Sequence, residues 1–237
     1  MIENVIISDN DELNEIDISK LPSDFVFGAI NVNHDEHAYC KVRFDPVSIE
    51  WFKENLYLVS HMTTRGAIWR HLWTLVIDKK MKSLHYLDFV QKQIVHESCE
   101  HIVSWGLLNL SVLIDSYLPV EVVDEKAYSL FETLIQLLQK ESVTKDPIVD
   151  SIFRFLSHKE HIQNALGWLE SNKITVGDAS LYELKTVHKH SILRCLFASR
   201  HFEYDIKIET MEMVFGEDKS DQTDRCRATC MASLPDP

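Results

Sequence analysis

Glycine and proline are scarce in this 237-residue chain, six of each. That scarcity excludes a loop-rich or low-complexity protein and favours long helices. No Gly-rich loop is present to cradle a phosphate, and no Gly-x-Ser-x-Gly elbow to present a serine nucleophile. No apolar run approaches membrane-spanning length, and the acidic opening, with Glu3, Asp9, Asp11, Glu12, Glu15 and Asp17, is the opposite of a basic signal peptide. Positive charge is short as well. With 24 Lys and Arg against 37 Asp and Glu, the net charge of −13 repels nucleic-acid phosphates and anionic membranes, so neither is expected as a partner. The densest basic stretch, Lys79 to Lys82, reads as a solvated turn after a helix. Cysteine is odd in number: Cys40, Cys99, Cys195, Cys226 and Cys230 imply reduced thiols, not a disulfide framework, and a cytoplasmic protein is expected.

What is present is an ordinary globular composition, 45% hydrophobic and 26% charged. Residues 1 to about 45 carry short β-like runs at Val5-Ile6-Ile7, Phe25-Val26-Phe27 and Ala38 to Phe44, separated by polar turns such as Asn31 to His37. From Asp45-Pro46 onward the period changes. Ser48 is placed to cap a helix carrying Trp51, Phe52, Leu56 and Val59, and Thr63 or Thr64 a second with Ile68, Leu72 and Leu75 on a face wide enough for burial on two sides. Further amphipathic stretches follow at Ser83 to Ile94, Ile102 to Tyr117, Asp124 to Gln139, Pro147 to Leu156, Lys159 to Glu170, Leu181 to Ser199 and Tyr204 to Phe215. Pro119, Gly177 and Gly216 fall between helices, where breakers belong. Eight or more short helices with brief connections imply a mainly α protein of antiparallel pairs stacked into a bundle or solenoid, although no fixed repeat period is visible.

One stretch imitates a metal motif. Zinc peptidases use two His four apart on a helix, so that both imidazoles face one ion. In His96-Glu97-Ser98-Cys99-Glu100-His101 the spacing is five, which turns the rings about 140° apart on a helix. The stretch therefore reads as a polar helix junction. Cys226 and Cys230, four apart on a short helix, read as buried or free thiols. His158, His161, His188 and His190 read as polar or helix-end residues. No metal ligand and no catalytic residue is assigned.

Three stretches, in order, resemble the aminopeptidase N and puromycin-sensitive aminopeptidase family of zinc exopeptidases. The first runs from Asn33 to Asp45 with its Tyr39-Cys40-Lys41-Val42, similar to the pattern that closes the family's β-sandwich. The second is Thr64-Arg65-Gly66-Ala67-Ile68-Trp69-Arg70-His71-Leu72-Trp73, followed by Asp78, Tyr86-Leu87 and Glu97. The third is His190-Ser191-Ile192-Leu193, then Asp218, Ser220-Asp221, Arg225, Arg227-Ala228 and Ala232 to Asp236. The resemblance covers about residues 25 to 237. It implies that 1–45 is the remnant of a β-sandwich domain and 46–237 a HEAT-like helical superhelix, incomplete at its C-terminus. The family's His-Glu-x-x-His and Gly-x-Met-Glu-Asn motifs are missing, so the implied zinc belongs to a missing catalytic domain and this chain holds no cofactor.

By the same resemblance the piece is a helical wall that shapes and closes a peptide cavity and is inactive alone. Its partners would be peptide substrates and the missing catalytic domain. Arg225 and Arg227 are the candidate substrate-binding residues, because a guanidinium suits a peptide's terminal carboxylate. Arg65 is expected to anchor the first helices. The alternatives are a freestanding helical interaction scaffold and a noncatalytic subunit.

Overall fold

The computed structural model describes residues 28–33, 36, 39–141, 145–216 and 218–235. The expected runs at 5–7 and 25–27 lie outside them. In the third run, the described residues 39–45 form no strand ladder. Their alternation is real, with Val42 and Phe44 buried around an exposed Arg43. The partner, however, is helical: Phe44 packs edge-on against Phe52, 5.0 Å away, and lies 6.1 Å from His71.

Ten helices occur among the described residues: α1 Pro46–Asn55, α2 Met62–Ile77, α3 Ser83–Ile94, α4 Glu100–Ser116, α5 Val120–Leu138, α6 Lys145–Arg154, α7 Lys159–Ser171, α8 Thr186–Ala198, α9 Tyr204–Phe215 and α10 Asp221–Ala232. Helix α1 is capped by Asp45, whose carboxylate accepts from the Ser48 N–H at 3.0 Å, with Pro46 in the first turn. Ser48 lies inside the helix, buried, and accepts from the Ile30 N–H at 2.9 Å. At α2 the cap position belongs to His61 and not to Thr63 or Thr64; Thr64 Oγ1 stands 3.1 Å from His61 Nδ1. Helix α5 starts directly after Pro119, earlier than the expected Asp124.

The predicted helix from Leu181 is corrected at its start. Strands β1 Lys173–Val176 and β2 Ala179–Glu183 pair antiparallel, and α8 begins only at Thr186. Gly177, expected between helices, sits in the hairpin turn with φ +56°, a conformation that suits glycine. Trp168 Nε1 donates to the Thr175 carbonyl and Lys145 Nζ to that of Leu181, so both strands have helical side chains on their backbones.

Packing resolves the choice between bundle and solenoid. Helices α2, α4, α6, α8 and α10 touch in succession along one layer. Helices α1, α3 and α5 form the other, continued by α7 and α9 against α8. Short links such as 117–119 and 155–158 turn consecutive helices back on one another. The result is an all-α superhelix of antiparallel pairs, with one apolar core running from Val42 to Leu196.

The head of this core is aromatic. Trp69 lies 4.6 Å from Phe89 with the rings tilted, Phe89 meets Tyr86 at 5.8 Å, and Trp73 meets Tyr86 at 5.2 Å. Gly106 lets α4 approach Trp69, since a Cβ there would lie 3.2 Å from Trp69 Cζ3. Arg65 of α2 fixes the α3–α4 connection. Its Nε and Nη2 donate to the two Glu97 carboxylate oxygens at 3.0 and 2.9 Å, and its Nη1 donates to the Val59 and Ser60 carbonyls. Glu97 also accepts from the Ser98 and Cys99 N–H groups at 2.9 Å each. At the far end, buried Lys207 of α9 donates to the Phe197 and Ser199 carbonyls and so caps α8.

Burial alone raises the Glu97 pKa, but Arg65 and the two amides outweigh it and hold the carboxyl below its ordinary 4.5. Stability from this pair is therefore present above that value and is lost as pH falls toward the lower folded one. Glu97→Ala, which strands a guanidinium only 13% exposed, is expected to cost about 3 kcal/mol in urea unfolding at pH 7. Arg65→Lys should cost less, because an ammonium keeps the charge but not the fork. Gly106→Val should cost about 1–3 kcal/mol, because Trp69 is locked by Phe89. Gly167→Ala in α7, where nothing lies within 4 Å of the added carbon, should gain about 0.5–1 kcal/mol.

Candidate functional site

The stretch that imitates a zinc motif is not one helix. It spans the α3–α4 connection and the first turn of α4, which starts at Glu100. Glu97 is turned inward onto Arg65, His96 stacks on Tyr57 at 4.7 Å, and His101 lies on the rim of a neighbouring cleft. Among the described residues no three His, Cys, Asp or Glu side chains gather as a metal site would need. The residues present do not fit a catalytic zinc: the carboxylate that would serve it is consumed by a guanidinium.

The cleft itself lies between the N-terminal turns of α2 and α4. Met62, Gly66 and Ala67 line one side, Ile102 and Trp105 the other, and it encloses about 300 Å³. Glu36 and Arg70 form an ion pair on its rim. One turn beyond Trp105 the apolar stripe continues along α4 with Leu108, 62% exposed, and Val112. Met62 is 53% exposed at the other wall. Large apolar side chains left uncovered along one helix face make a candidate contact surface. Sequence reasoning missed this stripe. The sequence marked Ile102 to Tyr117 as an amphipathic stretch, which does not say that part of its apolar face lies uncovered.

The two arginines singled out in the sequence are two apart on α10 and do not share surroundings. Arg225 pairs with Asp221 at 2.9 Å, both 78% exposed. Arg227 is held from two sides: it is ion-paired with Glu212, and its guanidinium lies 4.9 Å from the centre of the Phe215 ring. It lines an open polar cleft of about 750 Å³ with Glu212, Asp218, Lys219 and Asp224. Asp218 organises the turn before α10, accepting from the Ser220 N–H at 2.9 Å and the Thr223 hydroxyl at 2.7 Å, while Ser220 caps the helix.

Three of the four histidines read as polar or helix-end residues, His161, His188 and His190, are buried. His161 is sandwiched between Phe131 at 3.7 Å and Tyr128 at 4.4 Å; its Nε2 lies 3.1 Å from Glu132, and its Nδ1 has no partner. His188 Nδ1 accepts from the Lys185 N–H, and its Nε2 stands 3.3 Å from Asp150. Burial is the main cause that lowers both pKa values below the ordinary 6.5, against the pull of Glu132 and Asp150. The unfolded chain then binds protons that the fold resists, so stability is whole above pH 6.5 and is lost as pH falls below it. The urea midpoint is expected to drop between pH 7.5 and 5.5, and His161→Gln with His188→Gln should flatten that slope.

No curated protein matches the chain. The profile of the family described as ERAP1-like C-terminal domain matches residues 29–237, a range that begins before α1 and takes in every described helix. The three resembling stretches fall within that match from Asn33 onward, and the two-layer helical stack is the fold they imply. The chain belongs to the ERAP1-like C-terminal domain family and is the C-terminal helical region of an aminopeptidase-family protein.

Proposed function

We propose that this region serves a zinc-dependent aminopeptidase that removes N-terminal residues from peptides, and that it shapes and closes the peptide cavity without breaking a bond. In this reading zinc and the groups that hold the peptide's α-amino end belong to a preceding catalytic domain. Residues 46–237 form the helical domain, and those upstream are the end of a β-sandwich. The observation that carries the reading is the apolar stripe of exposed Met62, Leu108 and Val112 beside the half-buried Trp105, on a fold whose family belongs to aminopeptidases. A wall that closes a cavity contributes by placing and enclosing substrate. Reduced thiols support a cytoplasmic setting, and among the described residues no helix is long and apolar enough to cross a membrane.

Arg227 is the better of the two proposed peptide contacts, because it is held in a cleft while Arg225 is solvated. A peptide carboxylate would have to displace Glu212 from it. Exchange of one carboxylate for another is feasible at a half-exposed guanidinium.

The purified chain, mixed with the catalytic half of an aminopeptidase N relative that lacks its own helical region, is expected to form a 1:1 complex with raised turnover of aminoacyl-coumarin substrates. Leu108→Asp should weaken that complex at least about tenfold, and Arg227→Ala should raise KM for peptides more than for the coumarins. Failure to associate, with the chain monodisperse and capturing another protein through its helices, would favour the freestanding scaffold.

A further inference from the structure

The smaller core cluster joins α8, α9 and α10 and contains Met211, Phe215, Cys226 and Cys230. The function proposed above leaves its thiols unused. Cys226 and Cys230 stand one turn apart on α10 and project from one face. Both are free thiols, 7% and 0% exposed, with Sγ atoms 4.0 Å apart. Two sulfur donors set at 120° around a metal, with bonds of about 2.3 Å, are about 4.0 Å apart. That is the spacing of a three-coordinate site, which asks for one more soft donor. The thioether of buried Met211 lies in the same cluster.

The chemistry of the surroundings selects the ion. Sulfur-only donors in an apolar pocket suit a soft metal and not magnesium or calcium, and three of them, one a neutral thioether, suit monovalent copper over zinc, which takes four ligands. Burial raises both thiols, Cys230 to about 12, while Arg194 on α8 acts in the opposite sense on each of them. Its positive charge would offset the negative charge of two thiolates sharing one monovalent ion. Helix α10 packs chiefly on α8, so a small local opening gives entry.

We propose that Cys226 and Cys230, with Met211 as third donor, form a binding site for monovalent copper. Binding makes two copper–thiolate bonds and releases the two thiol protons to solvent. No electron is transferred, and copper stays monovalent.

The test is an anaerobic titration of the full chain with Cu(I) in competition with bicinchoninate. One copper per chain is expected. Cys226→Ser and Cys230→Ser should each lower affinity at least about tenfold, Met211→Leu should weaken it less, and Cys40→Ser and Cys99→Ser should leave it unchanged. Release of two protons predicts an affinity that rises about hundredfold per pH unit. X-ray absorption on the loaded wild-type chain, which needs no variant to fold, should show three sulfur neighbours and no nitrogen or oxygen. Copper lost to the competitor, binding unchanged in both Cys226→Ser and Cys230→Ser, or a nitrogen or oxygen shell would overturn the proposal.

Discussion

The fork between Arg65 and Glu97 holds the head of the superhelix in place. A guanidinium from the first turn of α2 reaches the connection that leads into α4, and its remaining donors close the carbonyls of the turn before α2. Two charges removed from water are tolerable only when each donor and acceptor finds a partner. Here the carboxylate also takes two backbone amides, which fixes the direction in which α4 departs. Once α2 and α4 are set side by side, Gly106 can seat against Trp69 and the aromatic core closes beneath them.

From that starting geometry the two layers follow by nearest-neighbour packing. Helices α2, α4, α6 and α8 each pack on the odd layer, and each even-numbered helix from α2 to α10 touches the next. The hairpin is an interruption that the stack absorbs. Tyr182 and Lys185 both reach Asp146 in the first turn of α6, which ties the hairpin and the start of α8 back to the preceding pair. Against that regularity the exceptions stand out as candidate sites. The cleft at the head of α2 and α4 is where apolar side chains have no helix to cover them, and the cleft beside α10 is where the charge pattern turns locally mixed.

Much of the architecture was legible in the sequence because helical spacing survives in single residues. Helices α3 and α9 carry their boundaries in the 3.6-residue pattern. The hairpin was not legible. Leu181 and Tyr182 continue an apolar pattern that suits helix or strand equally, and only the φ of Gly177 and the left-handed Asn172 decide for a turn. The extended run ending at Phe44 showed the right alternation but lacked its expected strand partner, because alternation reports which side is buried and not what buries it. The long reach from Arg65 to Glu97 gave an anchor in the sequence but no partner. The candidate surface was hidden for a related reason: an apolar helix face looks the same whether it meets this chain or another. The separation of Arg225 from Arg227 follows from helix geometry, which turns residues two apart to opposite sides, but which of the two is held by neighbours does not.

The central claim is that the layer containing α2 and α4 faces a catalytic domain. Hydrogen exchange measures this most directly, by comparing the chain alone with the chain mixed with the catalytic half of an aminopeptidase N relative. The account predicts slowed exchange concentrated in α2 and α4, around Met62, Trp105 and Leu108, with α3 and α5 unchanged. Unchanged exchange throughout, or protection confined to α3 and α5, would contradict it.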